Sequence, residues 1–396
     1  MRKRRLGWTL GVVAGALVLV GAPPLSAAPI LQGIGALPGH SSSLARGVSP
    51  DGTFVVGGSQ NQAVIWSEAG GLVGLGMVPG VGSTSSSAVD ISADGSVAAG
   101  VNFETAGWEA MRWTQAGGMV GLGDLGGGDF QSEARALSAD GSVVVGYGTT
   151  DVGREAFRWT NAGGMVPLGD LAGGTVWSEA YAVSADGSVV VGVSMSAFGW
   201  EPFIWTQAGG MVGLGDLPGG LNQGTGRGVS ADGSVVVGSG GTAAGREALR
   251  WTEAEGLVSL GDLPGGIVAS TANGVSNDGS VVVGMDNSSP SEFQAFIWTE
   301  ADGIQRLFDV LVTQYGLDLA GWDLQVANAV SDDGKVIVGQ ARNPSGRLEG
   351  FVVSLRSDDP VPEPATLALF ALGGLGLLAR RARVRPRRGR QRNDAA

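Results

Sequence analysis

Carboxylates are the reactive groups this chain supplies in quantity, and they come in two series. The first follows Ser-x and precedes Gly: Asp51, Asp94, Asp140, Asp186, Asp232, Asp278 and Asp333. The second sits in Leu-Gly-Asp-Leu, at Asp124, Asp170, Asp216 and Asp262. Neither has the ligand spacing of a helix-loop-helix calcium site, and Asp before Gly commonly bonds its own turn. A turn role is expected for both series. Calcium is the one cofactor such a ladder would suit. Acid–base chemistry would need two facing carboxylates, and Glu104 with Asp129, or Glu133 with Glu179, are the pairs on offer. The spacing within such a pair is not fixed by the sequence. The chain has no cysteine and one histidine, His40, which excludes thiol chemistry, a Ser-His-Asp arrangement built on the repeats and a multi-histidine metal centre. Its Gly-x-Gly runs lack the helix and lysine of a phosphate loop. The expectation is a protein that is not an enzyme.

The elements that position these groups repeat. Successive Asp-Gly aspartates are 43, 46, 46, 46, 46 and 55 residues apart, and Trp66, Trp113, Trp159, Trp205, Trp251 and Trp298 keep the same beat. Self-similarity at this period decides the architecture before any local reading. In the third unit, Ala134 to Ser138 alternates as a first strand and Asp140-Gly141 turns the chain. Ser142 to Gly146 is a β-branched, buried second strand. Ala156 to Thr160 alternates Phe157 and Trp159 against Arg158 as a third, and Met165 to Leu171 makes a fourth. Four short antiparallel strands in about 46 residues match a propeller blade. The recurring tryptophans then read as packing between blades.

The two ends complete one another. The last unit stops after three strands, Ala329 to Ser331, Lys335 to Gly339 and Gly350 to Leu355. The segment Leu31-Gln32-Gly33-Ile34-Gly35-Ala36-Leu37-Pro38-Gly39 matches the fourth-strand pattern Met211-Val212-Gly213-Leu214-Gly215-Asp216-Leu217-Pro218-Gly219. Pairing the two would remove both unpaired edges. The expected fold is all-β: a seven-bladed β-propeller closed by the N-terminal strand.

In such a blade the connections from strand two to three and from strand four to the next unit open on one face. These vary between units, whereas the Asp-Gly and Gly-Gly turns of the other face hardly do. The varied connections carry Phe103, Glu104, Trp108, Asp129, Phe130, Trp177, Glu179 and Trp200. Rings beside carboxylates suit stacking on sugars while bonding their hydroxyls, so these eight are the candidate binding residues. Against this, Trp108 and Trp200, each before Glu, could pack locally and cover a blade edge.

Charge separates the body from its ends. Twelve of the 25 Lys and Arg lie at the two termini, which leaves 13 cations against 36 carboxylates between them, a net of −23. A body this acidic disfavours nucleic acid and anionic membranes. Residues 1–28 read as a helical signal peptide: Arg2 to Arg5, an apolar run from Leu10 to Val20, and small residues near Ala27 and Ala28 where cleavage is expected. At the other end a linker, 357–364, holds Pro362, Glu363 and Pro364. An apolar helix of marginal membrane-spanning length follows at 365–379, then an arginine-rich cytoplasmic tail at 380–396.

That order of motif, apolar segment and basic tail closely resembles the PEP-CTERM sorting signal of Gram-negative bacteria. The resemblance implies an exosortase-type partner reading Pro362, Glu363 and Pro364, and an outer-surface or extracellular destination with transient or permanent membrane anchoring. It is often found where exopolysaccharide is made. The body, 29–356, resembles the HAF-repeat family of extracellular bacterial proteins through Glu155-Ala156-Phe157-Arg158-Trp159-Thr160, Glu201-Pro202-Phe203-Ile204-Trp205-Thr206 and Gln294-Ala295-Phe296-Ile297-Trp298-Thr299. Glu or Gln stands here in place of the family's namesake His. The expected function is a surface or matrix module that binds exopolysaccharide, other glycans or surface proteins. The alternatives are a purely structural repeat and, less favoured, a polysaccharide-degrading enzyme.

Overall fold

The computed structural model describes residues 29–289 and 292–355. The expected signal peptide, Pro-Glu-Pro motif, apolar segment and basic tail lie outside the described residues. Among the described residues no helix is long and apolar enough to cross a membrane.

The described chain is nearly all strand. The first unit pairs Leu44–Val48, Phe54–Ser59, Gln62–Ser67 and Gly71–Gly76 in order as an antiparallel sheet. Five more units repeat the order, from Ser83–Ile91 in the second to Gly303–Arg306 in the sixth. The seventh has Asp323–Val330, Val336–Arg342 and Leu348–Ser354, and its fourth strand is Ile30–Gly33 from the opposite end of the chain. The register is Ile30↔Ser354, Leu31↔Val353, Gln32↔Val352 and Gly33↔Phe351. Just past it, Ile34 N–H donates to Gly350 O at 2.9 Å, as Leu214 N–H does to Pro202 O at 2.8 Å. Gly35 N–H donates to Glu349 Oε1 as Gly215 does to Glu201 Oε1. The terminal segment thus reproduces the internal fourth strand down to its side-chain bonds. The same two pairs place the Glu of the Glu-Ala-Phe-x-Trp position in a structural role.

Each unit hydrogen-bonds to the next and the last to the first. Ala63, Ala110, Ala156 and Ala248 donate their N–H to Ser86, Ser132, Ser178 and Ser270 of the following unit at 2.8–3.0 Å. Trp200 N–H donates to Asn222 O, and Asn277 N–H to Asp332 O. Gly350 N–H of the seventh unit donates to Ser43 Oγ at 3.1 Å, leading into the first.

The core lies between sheets. Phe157, Phe203, Phe296 and Phe351 are fully buried, with Met111 and Leu249 at the same place in their units. Burying each aromatic ring stabilises the fold by roughly 1.5–3 kcal/mol. The tryptophan two residues on is half-buried in five of these units and in four of them packs at the edge of the same clusters.

Strand extents differ from the sequence reading. In the third unit the first strand runs Gly127–Leu137 and the second Val143–Thr150, well beyond the residues expected, while the fourth is only Gly164–Pro167. The hairpins stay paired up to tight turns, and the second-to-third connections are short. The 55-residue gap before the last Asp-Gly holds an unanticipated helix, Leu307–Thr313, with Leu307, Val310 and Leu311 buried.

Candidate functional site

The first strand of every unit shares one register break at the same point of the repeat. The shifts fall between Ala45 and Gly47, Ala88 and Asp90, Ala134 and Ala136, and Ala180 and Ala182. They recur between Gly226 and Gly228, Ala272 and Gly274, and Ala327 and Ala329. Such bulges re-aim a side chain. The seven residues so displaced are Arg46, Val89, Arg135, Tyr181, Arg227, Asn273 and Asn328, and all of them line one central cavity of about 330 Å³.

Four residues further along each inner strand the backbones touch. Ala93 N–H donates to Ala139 O, Ala139 to Ala185, Ala185 to Ala231, Asn277 to Asp332 and Asp332 to Pro50, all at 2.8–3.0 Å. This necklace draws the units together at the Asp-Gly end. There the Asp-Gly series is occupied with its own turns. Asp140 Oδ1 accepts from Ser138 Oγ at 2.6 Å and Ser142 N–H at 2.9 Å, and the pattern recurs at Asp94, Asp186, Asp232 and Asp278. These bonds hold the carboxylates below the usual range, Asp94 and Asp186 at about 2. In the second series Asp124 accepts from Leu125 and Gln131 N–H, and Asp216 from Leu217 and Gln223 N–H, so these two close the turn into the next unit. Among the described residues no three His, Asp or Glu side chains are grouped to hold a metal ion.

The opposite end is built from aromatic and charged groups. Arg154 pairs with Glu179 and stacks over Tyr147 at 4.3 Å and Trp177 at 5.7 Å. Trp177 meets Trp200 edge-on, centroids 4.1 Å apart. Tyr147 Oη donates to Glu133 at 2.8 Å and Tyr181 Oη to Glu179 at 2.7 Å. Arg135 pairs with Glu133 at 3.3 Å and lies 5.5 Å from both tyrosine rings, while Arg227 lies 5.7 Å from Tyr181. Burial and then Glu133 push the Tyr147 phenol up to about 12, so it stays a donor. Burial and then Glu179 raise Tyr181 likewise.

All eight candidates sit on strands and not in loops, because the hairpins pair so far out. Phe103 and Glu104 end Val97–Glu104, and Trp108 opens Gly107–Thr114. Asp129 and Phe130 lie in Gly127–Leu137, Trp177 and Glu179 in Gly173–Val183, and Trp200 in Gly199–Thr206. Phe103 faces Trp108 across its hairpin, and Trp108 pairs with Gln131 of the next unit. Gly107 permits that approach: a Cβ there would meet Phe130 O at 2.2 Å. The structure joins Trp177, Glu179 and Trp200 in one cluster. Glu104 bonds Asn102 at 3.1 Å, and no hydrogen bond or ion pair joins it to Asp129 among the described residues. Glu133 and Glu179 are each bonded to an arginine and a tyrosine.

The sequence reading missed Arg46, Arg135, Arg227, Tyr147 and Tyr181. The bulge residue stands three before the Ser of Ser-x-Asp-Gly in every unit, so aligning the repeats on that serine would have revealed it.

Solved structures of β-propeller type are similar to this body. An oligogalacturonate lyase from Vibrio parahaemolyticus aligns with TM-score 0.53 and 11% identity over 84% of this chain and 98% of its own. An oligogalacturonate lyase in complex with manganese aligns with TM-score 0.51 and 12% identity over 80% and 90%. TolB from Acinetobacter baumannii aligns with TM-score 0.42 and 13% identity over 81% of this chain, which spans 65% of that protein. At these identities the likeness concerns the fold alone. No curated protein matches the sequence. Residues 360–384 match the PEP-CTERM protein-sorting motif, which implies an exported protein whose C-terminus is sorted by an exosortase-type enzyme.

Proposed function

We propose that this protein is a HAF-repeat surface or matrix module, a closed seven-bladed propeller that binds glycans through the face opposite its Asp-Gly turns. Closure is supported by Ile30–Gly33 in the last sheet and by the bonds from Gly350 to Ser43 and from Asp332 to Pro50. The observation that carries the binding role is the apolar surface exposed at that end of the units. Phe103, Phe130, Val152, Phe198, Leu221 and Ile267 are all exposed, in or beside the second-to-third or fourth-to-first connections, while Val73, Val120, Val166, Val212 and Val258 are exposed along the fourth strands. Val152 and Phe198 lie in the same hairpin connections that lead into Arg154 and Trp200. Exposed apolar surface mixed with polar groups marks an interaction site. Each of Glu133 and Glu179 is already hydrogen-bonded and ion-paired, which favours binding over acid–base turnover at this cluster.

Binding of the mature protein to a glycan array tests the reading. Retained oligosaccharides lost on replacing Trp177 and Trp200 by Ala would support it. An array without binders, or binding indifferent to these replacements, would favour a structural repeat without ligand.

A further inference from the structure

We propose that the central cavity is a subsite for the carboxylate of an acidic sugar, held by Arg46 and Arg227. This deepens the glycan-binding reading above and rests on it. Three of the seven bulges present arginine. Arg135 is answered by Glu133, but Arg46 and Arg227 make no ion pair among the described residues. The Nε groups of Arg135 and Arg227 are buried without a hydrogen-bond partner. Unanswered buried donors are costly, and a planar guanidinium fork matches a carboxylate in two parallel bonds. Arg46 is exposed and Arg227 half-buried; desolvation lowers both from the ordinary arginine range, offset in part by Glu133 at Arg46 and by Tyr181 at Arg227, while Arg135 presses on each of them. An incoming anion relieves that repulsion.

The rest of the wall suits a sugar. Asn273 and Asn328 commit their Nδ2 to Ala327 O and Ala45 O, leaving amide oxygens to accept from hydroxyls. The Tyr181 ring gives stacking surface. Asp90 and Asp332 also line the cavity and oppose a dianion such as phosphate. A volume of about 330 Å³ fits an end group and not a long chain. In a body of net charge −23 a cationic well is a local exception, so it selects where the exterior repels.

The test is calorimetric titration of the mature protein with a uronate trimer, its carboxyl-reduced counterpart, sulfate and phosphate. Arg46→Gln and Arg227→Gln should fold, since Val89, Asn273 and Asn328 hold the same position in other units. The uronate is expected to bind at least about tenfold tighter than the reduced trimer, with each substitution weakening it about tenfold. Equal binding of both trimers, unchanged in the variants, overturns the carboxylate site and leaves the glycan face standing. Sulfate or phosphate binding as tightly as the uronate overturns the sugar assignment. Failure of both trimers to bind overturns the acidic-sugar subsite, and the glycan array separately decides the binding reading.

Discussion

Pro202 and Gly224 face one another across the junction of the fourth and fifth units, where a Cβ on Gly224 would lie 2.6 Å from Pro202 Cδ. At the equivalent place in five other junctions a backbone N–H donates to a serine: Ala63, Ala110, Ala156, Ala248 and Gly350 to Ser86, Ser132, Ser178, Ser270 and Ser43. Proline has no N–H to give. The serine has become glycine at the one junction where its donor is gone, and its space is filled by the pyrrolidine ring.

Gly224→Ser alone should therefore destabilise the fold by about 1–3 kcal/mol, through overpacking and a hydroxyl without its donor. Pro202→Ala with Gly224→Ser should recover most of that loss, a coupling of at least about 0.5 kcal/mol in urea melts. Strict additivity of the two substitutions would contradict the account of this junction.

A second prediction concerns pH. Asp262 is pushed up to about 6 by burial, then by its hydrogen bond with and repulsion from Asp286. The folded state holds a proton there that the unfolded chain releases near its ordinary value of 3.8. Stability from this site is therefore fully present below about pH 4 and falls as pH rises towards 6. Asp286 Oδ2 accepts from Leu263 N–H at 2.9 Å, and Asn102 does the same for Val78 in the second unit at 3.2 Å. Asp286→Asn keeps that acceptor and removes the like charge. Its melting temperature should rise over the parent at pH 8 and show little gain at pH 4. A gain equal at both would contradict the pair's assignment.

The Asp-Gly turns predict indifference to chelator. Their carboxylates already accept from Ser hydroxyls and backbone N–H groups, so adding excess EDTA should leave the melting temperature of the mature protein unchanged. Asp140→Ala should cost about 1–2 kcal/mol through the lost bonds to Ser138 and Ser142. A large fall in melting temperature on chelation, restored by calcium, would show a metal in the turns.

Much of this was legible in the sequence because a repeat is read many times over. The Ser-x-Asp-Gly turn and the Phe-x-Trp strand recur with the same side-chain roles, and the likeness of Leu31–Gly39 to Met211–Gly219 foretold a strand pairing across the chain's ends. What the repeat conceals is the residue that varies at a fixed position. Arg46, Arg135 and Arg227 are distant in sequence and unlike Val89 or Asn273, and only a bulge common to all seven units brings them to one cavity. The eight aromatic and acidic candidates were read as loop residues because alternation fades near the rim. Pairing continues there nonetheless, since glycines such as Gly107 and Gly153 let neighbouring backbones close in. The helix Leu307–Thr313 falls in the one insertion, where no sister unit could flag it.

The most direct test of the architecture is oxidation of a cysteine pair in a chain that otherwise has none. Leu31 and Val353 are directly opposed, in a pair that the Ile34–Gly350 bond places at a non-hydrogen-bonded site, where Cα atoms approach to about 4.5 Å and a disulfide can form. Leu31→Cys with Val353→Cys should cross-link readily and raise the melting temperature, whereas Gln32→Cys with Val353→Cys, on opposite faces, should stay reduced. Free thiols in the first variant, or equal cross-linking in both, would mean that the ends do not join and the ring is open.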